Sequence, residues 1–491
     1  MAKKYIIGLD IGTTSVKAVV FDRKGKVIAE TEQLNTSFYP EPGFVEQDPD
    51  VIVSASVFVL KAVMEQANMT ANELISVGFS CAMHSLICVD ENGHALSRAM
   101  TWADGRSSEQ AEQLLKEKGL SFYEKTGTPI HPMSPLTKFI WMRETGFAPF
   151  EKAAYFMSLK EYLIFHWFNE RVVDYSMASA SGMFNGALLD WDEEILAHVG
   201  VVKKQLSAPV SPIHTLTGLN SIVAKYIGLP EDLPFVIGAA DGQLANLGSG
   251  AILPGEVAIT AGTSGAVRQW TTAFRPNEKH ETFCYMFTGD TAIIGGPTNN
   301  GGIALDWLKK TLNYSGTYTE FTEEAAQVEL GADGLFFLPY INGERAPLWN
   351  QKARGTFFGL SITHEHPHFV RAVLEGITFN LYQIAETLER LAGPSEKIYV
   401  NGGLARSPIW IQMLADVFGK KIYMSESHHS AAWGAAWTAL VALGEVSSFA
   451  DIKENVPPGD VVEPDMARHE HYQKLYKKYA ALAADTAKYF D

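Results

Sequence analysis

The chain has 491 residues, 46% of them hydrophobic and 20% charged, with a formal net charge of −16 at pH 7. That length is too great for a single core and fits two domains. The negative balance argues against general nucleic-acid binding and against docking on anionic membranes, while leaving room for a local basic pocket that takes a phosphate. Cys81, Cys88 and Cys284 show neither a metal-ligand spacing nor a disulfide framework, which suits core thiols in a reducing cytoplasm. The start, MAKKYIIGLD, runs into a strand with no long apolar leader region. The most apolar late stretch, 431–443, is shorter than the ~20 residues a bilayer crossing needs. A cytoplasmic location with neither membrane nor nucleic-acid partner is therefore expected.

Apolar runs at 5–9, 16–21 and 26–31 are separated by turn residues and predict a three-stranded meander. Asp48-Pro49 then supplies an N-cap and a first-turn proline for a helix, with Val51, Ala55, Phe58, Val59 and Ala62 as its apolar positions. Segments 75–80 and 85–89 read as strands. Near Asp241 the pattern restarts: PFVIGAADG sets a strand before an acid, and EVAITAGTSGAVRQW repeats strand, hydroxyl-rich turn and strand. The two turns lie roughly 250 residues apart, a weak internal repeat suggesting two related domains facing one ligand. The Gly- and Pro-rich segment at 245–255 is the expected boundary. Further on, KIYVNGG reads as a strand and glycine turn, Ser407-Pro408 caps a helix running to about Gly419, and an Ala-rich helix occupies 431–443. Strands interleaved with helices imply α/β architecture in both halves.

The first turn carries chemistry. Asp10 ends an apolar strand, and Gly12-Thr13-Thr14-Ser15 follows, a glycine that lets backbone approach phosphate oxygens and three hydroxyls able to donate to them. A second strand leaves this turn, which separates it from a P-loop. Phosphoryl transfer needs phosphate cradles, Mg²⁺ ligands, a base for the acceptor and a nucleotide pocket. Asp10 is a candidate Mg²⁺ ligand acting through water, since that ion takes few carboxylates and keeps several waters. Thr13 and Thr14 are candidates for one end of the phosphates. Lys17 either adds charge there or is a solvated strand lysine. Gly262-Thr263-Ser264 is the candidate second cradle, and Gly402-Gly403, ahead of the Ser407 cap, leaves bare backbone for an adenine or ribose. Asp241, at a strand end beside glycines, is the best candidate for the general base.

Taken together, these segments resemble the FGGY family of carbohydrate kinases, within the larger group of actin-like ATPase folds. The similarity runs nearly end to end, through GLDIGTTSVKAVVFD, EQDP, MH at Met83-His84, TWADGRS, PLTKFIW, DYSMASASGMF, GAADG, AGTSG, FLPYINGERAPLWN, GTFFGLSITHEHPHFVRAVLE and NGGLARSPIWIQMLADVFGKKI. The resemblance implies an α/β fold of two ribonuclease-H-like domains flanking a cleft, residues 1–248 on the sugar side and 249–491 on the adenosine side, with ATP and Mg²⁺ as cofactors. It puts Asp10 and Asp241 at the metal, with Asp241 as catalytic base, and Gly12, Thr13, Thr14, Lys17, Gly262 and Thr263 near the phosphates. Gly302, Asp306, Gly403 and Ser407 fall where relatives contact the nucleotide. Asp306 departs from the amide some members carry there, so a helix-surface acid is an equal reading. The sugar side falls to Met83, His84, Trp102, Asp104, Asp241 and Gly242. Members acting on glycerol carry Arg-Glu in place of Met-His, whereas AMHS, TWADGRS, LKEYLIF and VVDYSMASASGMFN look like members that phosphorylate gluconate. A pentulose kinase, and from another class a non-metabolic actin-like ATPase, remain alternatives. A gluconate carboxylate asks for a cationic partner, with Arg106, Lys138 and Arg345 as equal candidates. Related kinases are often dimers, but no stripe here marks an interface.

Overall fold

The computed structural model describes residues 3–424, 429–456 and 459–490. Its N-terminal sheet begins with the expected meander: strands Tyr5–Ile11, Ser15–Asp22 and Val27–Leu34 pair antiparallel in succession. Leu74–Cys81 then lies parallel to the first strand, and Phe235–Ala240 lies parallel to Leu74–Cys81. Every residue of Leu74–Cys81 and Phe235–Ala240 is buried, as expected for parallel strands covered on both faces.

The second sheet repeats this plan. Glu256–Ala261, Gly265–Thr271 and Ala292–Thr298 form an antiparallel meander, and Lys397–Asn401 and Ile422–Met424 extend it in parallel from the first of them. The weak repeat in the sequence is thus a repeat of topology. Each half places a tight turn between its first two strands, at 12–14 and 262–264.

Most predicted helices are present, with one phase error. The Pro49–Gln66 helix is capped by Asp48, whose side chain accepts from the backbone of Asp50 and Val51. Its buried face, however, is Ile52, Ala55, Ser56, Val59, Leu60 and Val63, while Val51 and Phe58 are exposed. The apolar stripe read from the sequence was thus turned by about one residue. The strand expected at 85–89 shrinks to Ile87–Val89 and pairs with Tyr155–Met157 outside the main sheet. The Ala-rich helix, Ser430–Ala442, explains its composition by where it lies. It packs on the N-terminal sheet so closely that a Cβ on Gly8 would fall 2.0 Å from the Ala432 carbonyl oxygen, and one on Gly78 2.1 Å from that of Ala435. It also packs on the Asp241–Gly248 helix, where a Cβ on Gly434 would fall 2.1 Å from the Leu244 carbonyl oxygen. The three cysteines are free and buried. Among the described residues no helix is long and apolar enough to cross a membrane.

Candidate active site

One cavity opens between the halves and a second lies beside it in the C-terminal half, and the 262–265 turn is a wall of both. The first, about 340 Å³, is lined from the N-terminal half by Thr13, Thr14, Met83, His84, Trp102 and Asp241, and from the C-terminal half by Ser264, Arg268, Tyr285 and Arg345 among others. The second, about 510 Å³, takes its walls from the C-terminal half, including Gly262, Thr263, Gly302, Asp306, Gly403 and Ser407. Gly262, Thr263, Gly302, Asp306, Gly403 and Ser407, expected at the nucleotide, share the second cavity, while Thr13 and Thr14, expected at the phosphates, line the first with the sugar-side Met83, His84, Trp102 and Asp241.

Each turn is built by hydrogen bonds that leave its outward groups available. In the first, Gly12 N–H donates to the Ser15 carbonyl at 3.0 Å, Asn35 holds the carbonyls of Gly12 and Thr14, and Gln47 holds that of Thr13. The Trp102 indole N–H donates to Thr13 Oγ1 at 2.9 Å. With that oxygen accepting, the Thr13 hydroxyl proton is left to donate elsewhere. In the second turn, Gly262 N–H donates to the Ser264 carbonyl at 2.9 Å. The Gly302–Thr311 helix starts against this turn, with Gly302 and Ile303 N–H groups donating to the carbonyls of Gly262 and Thr263. Gly402, at φ 105°, lies where a Cβ would come 2.4 Å from the Ala261 carbonyl oxygen. Only glycine fits that crossing and that dihedral.

Asp241 opens the Asp241–Gly248 helix directly after its strand, and its Oδ1 accepts from the Gly242 N–H at 2.7 Å. Burial, and secondarily the nearby Asp10 carboxylate, raise its pKa to about 6. Asp10 lies beneath, its Oδ1 accepting from Ser80 Oγ at 2.7 Å, and burial raises its pKa too. Among the described residues no group of three or more His, Cys, Asp or Glu could hold a metal by itself. Two neighbouring half-buried carboxylates suit an ion that completes its shell with water and phosphate oxygens.

His84 sits at φ 67° with Nδ1 2.7 Å from the Ala180 carbonyl. A carbonyl only accepts, so Nδ1 carries the proton and Nε2 is left as an acceptor. Burial first, then the Lys138 charge, hold His84 neutral, its pKa lowered to about 3.

Several expected residues lie elsewhere. Asp104 is buried off the cavity: its carboxylate takes the Val45 N–H at 2.7 Å and the Arg106 guanidinium at 2.7 and 2.8 Å. Lys17 pairs with Glu32 at 3.4 Å on a half-exposed strand face, the solvated reading of that lysine. Gly242 makes room for a neighbour, since a Cβ there would meet Arg268 Nε at 3.0 Å. Asp306 is on the nucleotide-side wall and receives the Tyr318 hydroxyl. Ser407 Oγ accepts the Trp410 N–H and donates to Thr322.

The three cationic candidates also separate. Arg106 is consumed by Asp104 and Glu46 and lies over the Phe44 ring at 3.9 Å. The Lys138 ammonium, fully buried, donates to the carbonyls of His84, Thr101 and Met133 at 2.6 to 3.1 Å. Only Arg345 faces the cavity. Sequence reasoning passed over Arg268, whose signal was a lone charge in an otherwise apolar strand, GAVRQW. It also missed Tyr318, Thr319 and Thr322, which sit on one short polar helix, Tyr318–Glu323, that carries no motif, and Arg406, which lies between the predicted Gly403 and Ser407.

Two like α/β halves, each offering a hydroxyl-bearing turn to a cleft that holds a half-buried carboxylate, define a phosphotransferase with the actin-like ATPase fold. The chain belongs to the FGGY family of carbohydrate kinases, whose N-terminal domain model matches residues 5–248 and whose C-terminal domain model matches 257–443. It is 41% identical to a gluconokinase from Bacillus licheniformis, over 98% of this chain and 95% of that protein. Crystal structures of a ligand-bound xylulose kinase and of a gluconate kinase, both from Lactobacillus acidophilus, each match with a TM-score of 0.95 at 32% identity. They cover 99% of this chain and 99% and 98% of theirs.

Proposed function

We propose that the protein transfers the γ-phosphoryl group of ATP to the terminal hydroxyl of D-gluconate, giving 6-phosphogluconate. The observation that carries this reading is the shared wall: one glycine-hydroxyl turn separates a cavity containing the half-buried Asp241 carboxylate from one of about 510 Å³. The Bacillus relative, a gluconokinase, supports the acid as acceptor.

In this reading the adenosine lies against Gly302, Gly403 and Ser407, and the polyphosphate passes between Thr13-Thr14 and Gly262-Thr263. Asp10 and Asp241 would hold Mg²⁺, which supplies charge neutralisation for the phosphates. Asp241 accepts the proton of the attacking hydroxyl, a role its place at the strand end on the cavity wall allows. His84 Nε2 accepts a hydrogen bond from a sugar hydroxyl, and Trp102 covers the apolar face of the carbon chain. Walls drawn from both halves exclude water from the reacting atoms.

A coupled ADP-release assay with gluconate, xylulose, ribulose, fuculose and glycerol tests the reading. Gluconate is expected to give the highest kcat/KM. Activity confined to a ketose would replace it with a pentulose kinase, the reading that the Lactobacillus xylulose kinase structure favours. Strong sugar-independent ATP hydrolysis would favour a non-metabolic ATPase.

A further inference from the structure

Two guanidinium groups face the acceptor cavity, and among the described residues neither is hydrogen-bonded to a carboxylate, although Asp241 lies near Arg268 and Glu344 near Arg345. Arg268 projects from the Gly265–Thr271 strand, two residues beyond Ala266 and so on the same face. Its Nη1 reaches Thr260 Oγ1 at 3.3 Å, and the missing side chain of Gly242 gives it space. Arg345 enters from the opposite loop, its Nη2 3.3 Å from the Thr298 carbonyl and its Cζ 5.4 Å from the Trp102 ring centroid. The Nε atom of each is buried with no hydrogen-bond partner.

Neighbouring acids do not meet this demand. Glu344, next to Arg345, turns its oxygens to Thr298, Asn299, Asn300 and Asn380. Asp241 is the one carboxylate on the cavity wall among the described residues. Its Oδ1 is taken by Gly242, and its charge and that of Arg268 act on each other through space without a hydrogen bond between them among the described residues. Neither arginine lines the nucleotide cavity. Hydroxyls of a neutral sugar can be bound by hydroxyls, amides and a neutral imidazole, so one buried and one half-buried cation there are an unneeded desolvation cost. A carboxylate converts that cost into charge-assisted, bidentate hydrogen bonds.

We propose that Arg268 and Arg345 together hold the carboxylate of a polyhydroxy acid, making this pair the element that selects an acid over a neutral sugar. The inference rests on the proposed sugar-acid reading and adds the residues that would enforce it. Burial lowers the pKa of Arg345 only to about 10, so it is charged at neutral pH.

The test compares gluconate with gluconamide, its neutral counterpart, in the full-length wild type and in Arg268→Met and Arg345→Met. Each variant is expected to lose about 10- to 100-fold in kcat/KM for gluconate, chiefly through KM, and less than about 3-fold for gluconamide. Arg268→Lys and Arg345→Lys should recover part of the loss. Unchanged melting temperature and KM for ATP show that the variants fold, and if one does not, the other arginine carries the same comparison. Equal losses on acid and amide would overturn the inference by placing the arginines on the phosphoryl group or the scaffold, and so would no loss. Those outcomes leave the proposed reaction standing. Wild-type enzyme inactive on gluconate but active on xylulose would instead remove the reaction and the inference together.

Discussion

The strand leading into Asp241 is tied down by a buried polar chain. Ala240 N–H donates to Ser176 Oγ at 2.8 Å, Ser176 Oγ–H donates in turn to Asp174, and Asp174 pairs with the buried Lys160 at 2.5 Å. The Lys160 ammonium also reaches the Ile237 carbonyl in the strand that delivers Asp241. Replacing the carboxylate itself, Asp241→Asn, should lower kcat by about 10²- to 10⁴-fold. Melting temperature and ATP binding by calorimetry should hold, and near-normal turnover would remove Asp241 from the role of base. Lys160→Met acts differently, because it leaves Asp174 as an uncompensated buried charge at a cost of about 3–5 kcal/mol. Urea unfolding should show that loss, and adding Asp174→Asn should recover a good part of it. Should the double variant be as unstable as the single, the pair is not what holds the strand end.

At the level of elements, the Ser430–Ala442 helix shows what a sequence can and cannot reveal. Its boundaries were legible to within a residue, because an Ala- and Gly-rich apolar run of that length has few other homes. Its docking partner was not, since nothing local marks Gly8 and Gly78, far off in sequence, as the surface it rests on. Gly78→Ala should therefore destabilise the protein by about 1–3 kcal/mol or more through overpacking, read as a fall in melting temperature. A neutral effect would mean that the helix can lift off the sheet at little cost. The turns at 12–14 and 262–264 were legible for the same local reason, being short motifs between strands. Asp104 misled because TWADGRS fixes its position in the chain but not the direction of its carboxylate, which Val45 and Arg106 claim. Arg106 and Lys138 stood level with Arg345 in sequence because a side chain's hydrogen-bond partners are a tertiary property. Phe58 and Val51 misled because an 18-residue helix with many apolar positions allows more than one stripe.

Across the whole molecule, the repeat of topology has been put to unequal use. In the first half the residue two before the turn glycine is Asp10; in the second it is Thr260, which binds Arg268. One copy thus brings negative charge to the cleft and the other brings positive, so the acceptor cavity is complete only with both halves in place. Contacts between residues 108–112 of the first half and 351–352 of the second are polar and exposed, as in Lys352 with Glu112 at 3.1 Å and Ser108 with Gln351 at 3.0 Å. Such contacts contribute little to stability and can open and re-form as ligands pass. An acceptor that spans the two halves should then hold them together, whereas water cannot. ATP hydrolysis without acceptor is expected on the order of 10²-fold slower than phosphoryl transfer with it, measured by ADP release at saturating ATP. Lys352→Glu, which sets like charges across this contact, should leave the melting temperature within about 2 °C while raising the acceptor KM several-fold, an effect that added salt reduces. Unchanged acceptor KM at low salt would show that this contact does not take part in closure.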